Sequence, residues 1–414
     1  MKLVCALFFA LALSVHAADF DSAANATNQL GVDLYHQLTT GDENLCLSPY
    51  SIQSALAMTF AGADGETRTE MVRVLHFPSD GDAIHASFNS LQRSLEEMKS
   101  KTAQIAEQSK KEGGPSEPIT LSIANRLFGQ SGHDFREPFQ QLVKKFYAAP
   151  FEPLDFKKDP EASRTHINKW VANRTRNRIR DLVPVNGINK DTRLVLANAI
   201  YLKAPWAAPF SEYRTRPERF HVRGKFPADV PTMHDRGEFA YAKRNGYSAL
   251  SQHYTGNDLQ FVILLPDEID GLAKLESKLS TEMLKECAQL ERHDVDLSLP
   301  KFKFESPTIA LGETLQTLGM KTAFDQPKNS ANFDKIATRK PNDYLALSEV
   351  FHKTFIAVNE KGTEAAAATT ITMLGVRAIR PEPIEVKVDR PFLYVIQHVP
   401  SRACLFIGRV TDPR

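Results

Sequence analysis

The sequence predicts an α+β fold, and three observations carry that expectation. Helical patterns fill the first part of the chain and strand patterns dominate the rest, without the regular strand-helix alternation of a parallel doubly wound sheet. Ser48-Pro49 ahead of YSIQSALAMTFAG is a helix start, with Ser48 as N-cap, Pro49 in the first turn and Gly62 as the stop. The 414 residues are 42% hydrophobic and 24% charged, enough apolar material for a large core.

In chain order, MKLVCALFFALALSVHAADF places Lys2 before an apolar run, Leu3 to Val15, and ends it in small residues at Val15-His16-Ala17. That is the pattern of a secretory signal peptide over 1-17, with the mature chain over 18-414 expected to be one domain, secreted and extracellular. The run is too short to span a bilayer, so no membrane partner is expected. Helical periodicity then covers 20-40, the Ser48 helix, 67-76 and 84-100. The polar stretch 99-118, with Gly113-Gly114 and two prolines, reads as a surface excursion. A strand at 119-127 and helices at 135-147 and 160-181 follow. Strands are expected at 192-203, 216-222, 238-243, 247-265 and 294-304, with a helix at 270-289. Ser306-Pro307 before TIALGETLQTLG repeats the helix-start device, and strands at 345-358, 384-388, 391-398 and 403-410 complete the chain.

Lys and Arg number 51 against 50 Asp and Glu, which implies no general polyanion surface and no nucleic-acid partner. Without the leader, Cys46, Cys287 and Cys404 remain, an odd set read as buried free thiols. Asn25 and Asn173 head glycosylation sequons. Hydrolase, zinc, phosphate-loop and dinucleotide signatures are all missing, so no enzyme activity, metal or cofactor is expected. Arg174, Arg176, Arg178 and Arg180 in NRTRNRIRD spread around a helix surface instead of forming one stripe. They read as a solvated face, with a glycosaminoglycan as a minor candidate partner.

The stretch NEKGTEAAAATTITM fits no single structure. Its four alanines favour helix, whereas Thr369-Thr370-Ile371-Thr372 favours strand. Glu360-Lys361-Gly362-Thr363-Glu364-Ala365-Ala366-Ala367-Ala368-Thr369 resembles the hinge of the serpins, the serine protease inhibitor family. Further resemblances follow in order: Ser48-Pro49 with Ser51; Asn198-Ala199-Ile200-Tyr201-Leu202-Lys203 before Trp206 and Phe210; Val262 to Pro266; Leu299-Pro300-Lys301-Phe302; and Val388-Asp389-Arg390-Pro391-Phe392-Leu393. Ala204-Pro205 departs from the family pattern, and 99-118 looks longer than usual.

The resemblance implies a serpin fold, three β-sheets with eight to nine helices and an exposed reactive loop at about 360-383. It implies a monomeric suicide substrate: a protease cuts the loop, whose N-terminal arm enters the large sheet as a strand while the acyl-enzyme persists. Read as that strand, Thr363, Ala365, Ala367, Thr369, Ile371 and Met373 form a face to be buried. Glu364, Ala366, Ala368, Thr370 and Thr372 form a wetter one. Gly362 supplies the freedom to reverse, antiparallel to Val350-Val358. Counting from the hinge puts the reactive bond between Val376 and Arg377, an elastase-like preference. Arg377 offers a trypsin-like alternative and Leu374 a chymotrypsin-like one. The resemblance also assigns Ser48, Ser51, Asn198 and His352 to a polar cluster where the sheet parts, Trp206 and Lys203 to its upper opening, and Glu360 with Lys301 to a bridge at the hinge base. The alternative reading is a non-inhibitory serpin, a ligand carrier or chaperone; such members tend to carry bulky, charged or proline hinge residues, which this hinge lacks.

Overall fold

A computed structural model describes residues 20–78, 81–114, 116–341, 343–364 and 382–414. The expected leader at 1-17, the hinge alanines Ala365 to Ala368 and the Val376-Arg377 bond lie outside the described residues.

Nine α-helices occur among the described residues. The first six are α1 (Asp21–Leu38), α2 (Pro49–Phe60), α3 (Gly65–Val74), α4 (Ala83–Lys111), α5 (Glu137–Tyr147) and α6 (Pro160–Arg174). Helix α2 starts as the sequence dictates, the Ser51 amide donating to Ser48 Oγ at 3.2 Å with Pro49 in the first turn. It is buried almost all round, including Ser51, Gln53 and Thr59, as befits a helix with no solvent face.

Seven strands build the central sheet, in the order Phe302–Glu305, Leu347–Asn359, Gly362–Thr363, Leu194–Pro205, Thr120–Gln130 and Glu152–Leu154, with Ile309–Ala310 also on the Leu347 strand. The apolar run LVLANAIYL is buried on both faces. Leu194, Leu196, Ile200 and Leu202 join the main core, while Val195, Ala197, Ala199 and Tyr201 join a second core with Ile167 and Val171 of α6.

The second, nine-stranded network is threaded by the long strand Phe226–Arg244. Its first residues pair with Arg216–Val222 and its middle with Glu291–Pro300, the latter carrying Ile384–Lys387. Its last residues pair with Tyr247–His253, which continues through Leu259–Pro266, Phe392–His398 and Ala403–Val410 to Leu45–Leu47. With the central sheet these two parts give the three sheets that the resemblance implies.

Several boundaries differ from the sequence reading. Residues 99-111 continue α4 instead of forming an excursion; Met98, Thr102 and Ala106 keep a buried stripe through it. The 247-265 run is a hairpin turned at 254-258, where Tyr254 N donates to Leu259 O. The 270-289 helix is three short pieces, restarted by Ser280 as N-cap to Met283. Ser306 caps no helix. Its hydroxyl meets Thr354 Oγ1 at 2.9 Å, so the chain first adds a two-residue strand, and the helix begins at Gly312, whose amide donates to Glu349 Oε1 at 2.7 Å. Helix α6 stops at Arg174; Arg176 and Asn177 take positive φ, so the four arginines do not share a helix surface.

Candidate functional site

The site is a slot between the two longest strands of the central sheet. Leu347–Asn359 and Leu194–Pro205 run parallel and pair from Leu347↔Leu194 to Phe355↔Tyr201, with His352 opposite Asn198. Above that closed stretch Gly362–Thr363 lies between them, antiparallel to both: Thr363 faces Val358 on one side and Ala204 on the other. Gly362 and Thr363 of the hinge are thus already a strand, in the register of the closed pair.

Local chemistry fixes this seat. Gly362 has φ +143°, and a Cβ there would sit 2.1 Å from Ala204 O and 2.7 Å from Pro205 Cα, so only glycine fits. Thr363 is 1% exposed, its Oγ1 2.6 Å from the Tyr254 hydroxyl. Tyr254 stacks on Trp206 with ring centroids 4.5 Å apart. Trp206 closes the top: its indole Nε1–H donates to Asn359 O and its amide to Lys361 O, both at 2.9 Å. Lys203 pairs with Glu117 at 2.5 Å.

Glu360 anchors the turn into the hinge. Its carboxylate accepts from Lys301 Nζ at 2.9 Å and from the Thr215 hydroxyl at 2.7 Å. Burial alone would raise its pKa, but the Lys301 and Thr215 hydrogen bonds outweigh it and hold the carboxyl below its usual value. The expected Lys301–Glu360 bridge is therefore present, with Glu360 buried and Lys301 half-exposed.

Beneath the closed pair, the four polar residues named from sequence converge with a fifth. Ser48 Oγ donates to Leu405 O at 2.7 Å, and the Ser48 amide donates to His352 Nε2 at 3.1 Å. That acceptor role places the His352 proton on Nδ1, which donates to Asn198 Oδ1. Asn198 Nδ2 donates to Ser51 Oγ at 2.6 Å and to Asn125 Oδ1, and Asn125 Nδ2 donates to Ser51 O at 3.0 Å. Burial pushes the His352 pKa from 6.5 to about 3, so the ring is neutral.

Asn125 was missed from sequence. Its signal was a lone amide within the apolar strand pattern LSIANRLF, directly opposite Asn198 in the antiparallel register.

Glu364 departs from expectation. It was read as the start of a wetter face, yet its side chain is 13% exposed and ion-paired with Arg178, against the loop that follows α6. Burial raises its pKa despite Arg178 and the Tyr201 hydrogen bond; burial and Glu364 in turn push the Tyr201 pKa to about 12. The second face of the slot lies in the core under α6, which is why it is not wet. Arg178, placed on a solvated helix face from sequence, is the residue that meets the hinge. Glu364 has φ +50°, and its amide donates to Ala357 O at 2.8 Å.

The cysteines Cys46, Cys287 and Cys404 are free and buried, as expected. Asn25 and Asn173 are both exposed.

Comparison with known proteins matches residues 25–413 to the family described as Serpin (serine protease inhibitor). A serpin-like protein of Thermococcus kodakarensis is 37% identical over 94% of this chain and 85% of its own length. The leukocyte elastase inhibitor of Bos taurus is 36% identical over 95% of this chain and 99% of its own. Among solved structures, human thyroxine-binding globulin complexed with thyroxine superposes with a TM-score of 0.79 at 26% identity, covering 96% of this chain and 100% of that one.

Proposed function

The chain belongs to the serpin family, and on that premise we propose that it is a secreted, monomeric suicide inhibitor of serine proteases and not an enzyme. The observation that carries the reading is the seat of Gly362–Thr363, antiparallel to both flanking strands at the top of the slot. Continuing that register, one residue forward in the hinge for one back in each strand, brings Ala365 opposite Ile356 and Leu202. Ala367 then falls opposite Thr354 and Ile200, and Thr369 opposite His352 and Asn198. Alanines meet the tight upper slot, and the first hydroxyl beyond them arrives at the polar cluster that must part to admit it.

Insertion along this path replaces the parallel pairing of the Leu347 and Leu194 strands with two antiparallel ladders. A strand of about a dozen residues at roughly 0.5–1.5 kcal/mol net per hydrogen bond supplies on the order of ten kcal/mol, comparable to the stability of a domain. That is the driving force assigned to the trap. The protease acylated at the cut bond is carried along before it deacylates.

The reactive bond is placed at Val376-Arg377, with an elastase-like protease as first target; similarity to a leukocyte elastase inhibitor supports that choice. The 1-17 leader supports secretion, and exposed Asn25 and Asn173 are the proposed glycan sites. The carrier alternative draws on the thyroxine-bound neighbour, but the small hinge residues and the preformed seat favour insertion. Incubation with an elastase, a trypsin and a chymotrypsin tests the proposal. An SDS-stable complex and a released peptide beginning at Arg377 are expected with elastase; clean cleavage without a complex would refute inhibition.

A further inference from the structure

At its lower end the slot closes on a cluster of charges. The ladder between the two long strands ends at Leu347↔Leu194, and Asp343 and Arg193 stand just outside it, on opposite sides. Asp343 Oδ1 accepts from Lys157 Nζ at 3.0 Å, and the same oxygen lies 3.7 Å from Arg193 Nε and 3.8 Å from His133 Nε2. The imidazole is buried, whereas Asp343 and Lys157 are part-exposed. Burial lowers the His133 pKa, so the ring is neutral at pH 7 and the charges facing Asp343 are those of Lys157 and Arg193. Burial alone would raise the Asp343 pKa, but the Lys157 hydrogen bond and the neighbouring cations outweigh it and hold the carboxyl below its usual value.

These partners come from different parts of the sheet. Lys157 and Arg193 are tied to the Leu194 side through Gln130, the last residue of the strand Thr120–Gln130. The Gln130 amide donates to Arg193 O at 2.8 Å, and its Oε1 accepts from the Lys157 amide at 2.9 Å. His133 follows the same strand. Asp343 leads instead into Leu347–Asn359, on the far side of the slot. The Arg193 amide also donates across the base, to Ser348 Oγ at 3.0 Å. Lys340, bridged to Asp343 on its own side, has no ion pair among the described residues and adds its charge to the cluster. One carboxylate thus neutralises cations drawn from both sides. Without it, Lys340 faces Lys157 and Arg193 across the slot with like charge.

We propose that Asp343, held by Lys157 and Arg193, is a clasp across the base of the slot that resists the final stage of insertion. In the proposed insertion, one residue forward in the loop for one back in each strand puts Thr372 opposite Glu349 and Val195, and Leu374 opposite Arg193. Val376, the proposed end of the cut arm, follows Leu374 by two residues. The arm therefore meets the clasp only at its end, when Leu374 to Val376 have to pass between Arg193 and Asp343. Part-exposed pairs are each worth little, so the clasp slows this stage only a few-fold. That factor still counts, because insertion races hydrolysis of the acyl-enzyme and the outcome follows the ratio of the two rates. The effect on trapping rests on the inhibitory reading; the clasp itself does not.

The test uses the full chain with Asp343→Asn, Lys157→Gln and both together. Each change removes a charge from a part-exposed side chain, so all three variants keep the fold, and their unfolding midpoints check it. Hydrogen exchange on the intact chain reads the clasp. In Asp343→Asn, amides at 194–196 and 347–350 should exchange about 2- to 5-fold faster, with 200–203 and 354–358 unchanged. About 1 M NaCl should bring the wild type to the same rates by screening and change the variant little. The first-order rate of SDS-stable complex formation at saturating protease should rise by the same factor. The double variant should be no faster than Asp343→Asn, because both changes remove one interaction. Unchanged or slower exchange at the base in Asp343→Asn, or gains that add in the double variant, overturns the clasp. Faster exchange with an unchanged rate of complex formation overturns its role in insertion. A chain that forms no complex with any protease yet shows the exchange response upholds the clasp while the inhibitory reading falls.

Discussion

Replacing Thr363 with arginine puts the insertion mechanism under direct load. Thr363 is 1% exposed, and its hydroxyl meets Tyr254, itself fully buried and stacked on Trp206. Thr363→Arg removes that hydrogen bond and leaves the Tyr254 hydroxyl unpaired, about 1–3 kcal/mol. Seating the hinge then also requires desolvating a guanidinium with no carboxylate opposite, several kcal/mol more. Even about 3 kcal/mol felt in the insertion barrier slows it by more than about 100-fold, because each 1.36 kcal/mol is ten-fold in rate. Cleavage of the loop is untouched, so acylated protease partitions to hydrolysis and the variant becomes a substrate. The assay is the stoichiometry of inhibition against elastase, read with denaturing electrophoresis. A rise of at least about ten-fold in stoichiometry is expected, with Thr363→Ser close to wild type. Thr363→Arg with unchanged stoichiometry would rule out insertion through the Thr363 seat.

Three further outcomes follow from the same geometry. Glu360→Lys sets a buried cation against Lys301, costing about 3 kcal/mol, the low end of the buried-pair range because Lys301 is partly exposed; the unfolding midpoint should fall, and Lys301→Glu should restore it. Gly362→Ala drives a Cβ into Ala204 O, so hydrogen exchange at the Thr363 and Glu364 amides should lose protection while the Leu194 strand keeps its own; unchanged protection there contradicts the seat. Burial lowers the pKa of His352 to about 3 and of His85 and His398 to about 4, so below pH 6.5 the unfolded chain takes up protons that the folded chain refuses. Stability is fully present above pH 6.5 and declines as pH falls toward 3, by up to about 1.4 kcal/mol per pH unit for each histidine; His352→Gln should flatten the urea-derived slope between pH 6 and 4 by about one proton, and an unaltered slope rules the assignment out.

What the sequence disclosed was local. Ser48-Pro49 announces a helix start because an N-cap and an N1 proline act within one turn, and the apolar run LVLANAIYL reads as a strand, which the structure buries on both faces. Ser306-Pro307 shows the limit of the same signal. The hydroxyl is taken by Thr354, nearly fifty residues away in the chain, and tertiary pairing overrides the local device. Glu364 and Arg178 were assigned to wet faces because alternation reports that a strand has two sides without reporting that α6 and the loop after it cover the second. Ser48, Ser51, Asn198 and His352 were found together through their motifs, whereas Asn125 sits in a strand whose only mark is one amide among apolar residues.

The proposed inhibition depends on a sheet that gains a strand when the loop is cut. Its most direct test is the thermal unfolding midpoint of the intact chain against the chain nicked within the loop, both under the same buffer. Insertion worth on the order of ten kcal/mol predicts a midpoint higher by about 10 °C or more after cleavage. A nicked chain that unfolds at the same temperature as the intact one, or below it, would contradict the insertion of the loop into the slot between Leu194–Pro205 and Leu347–Asn359.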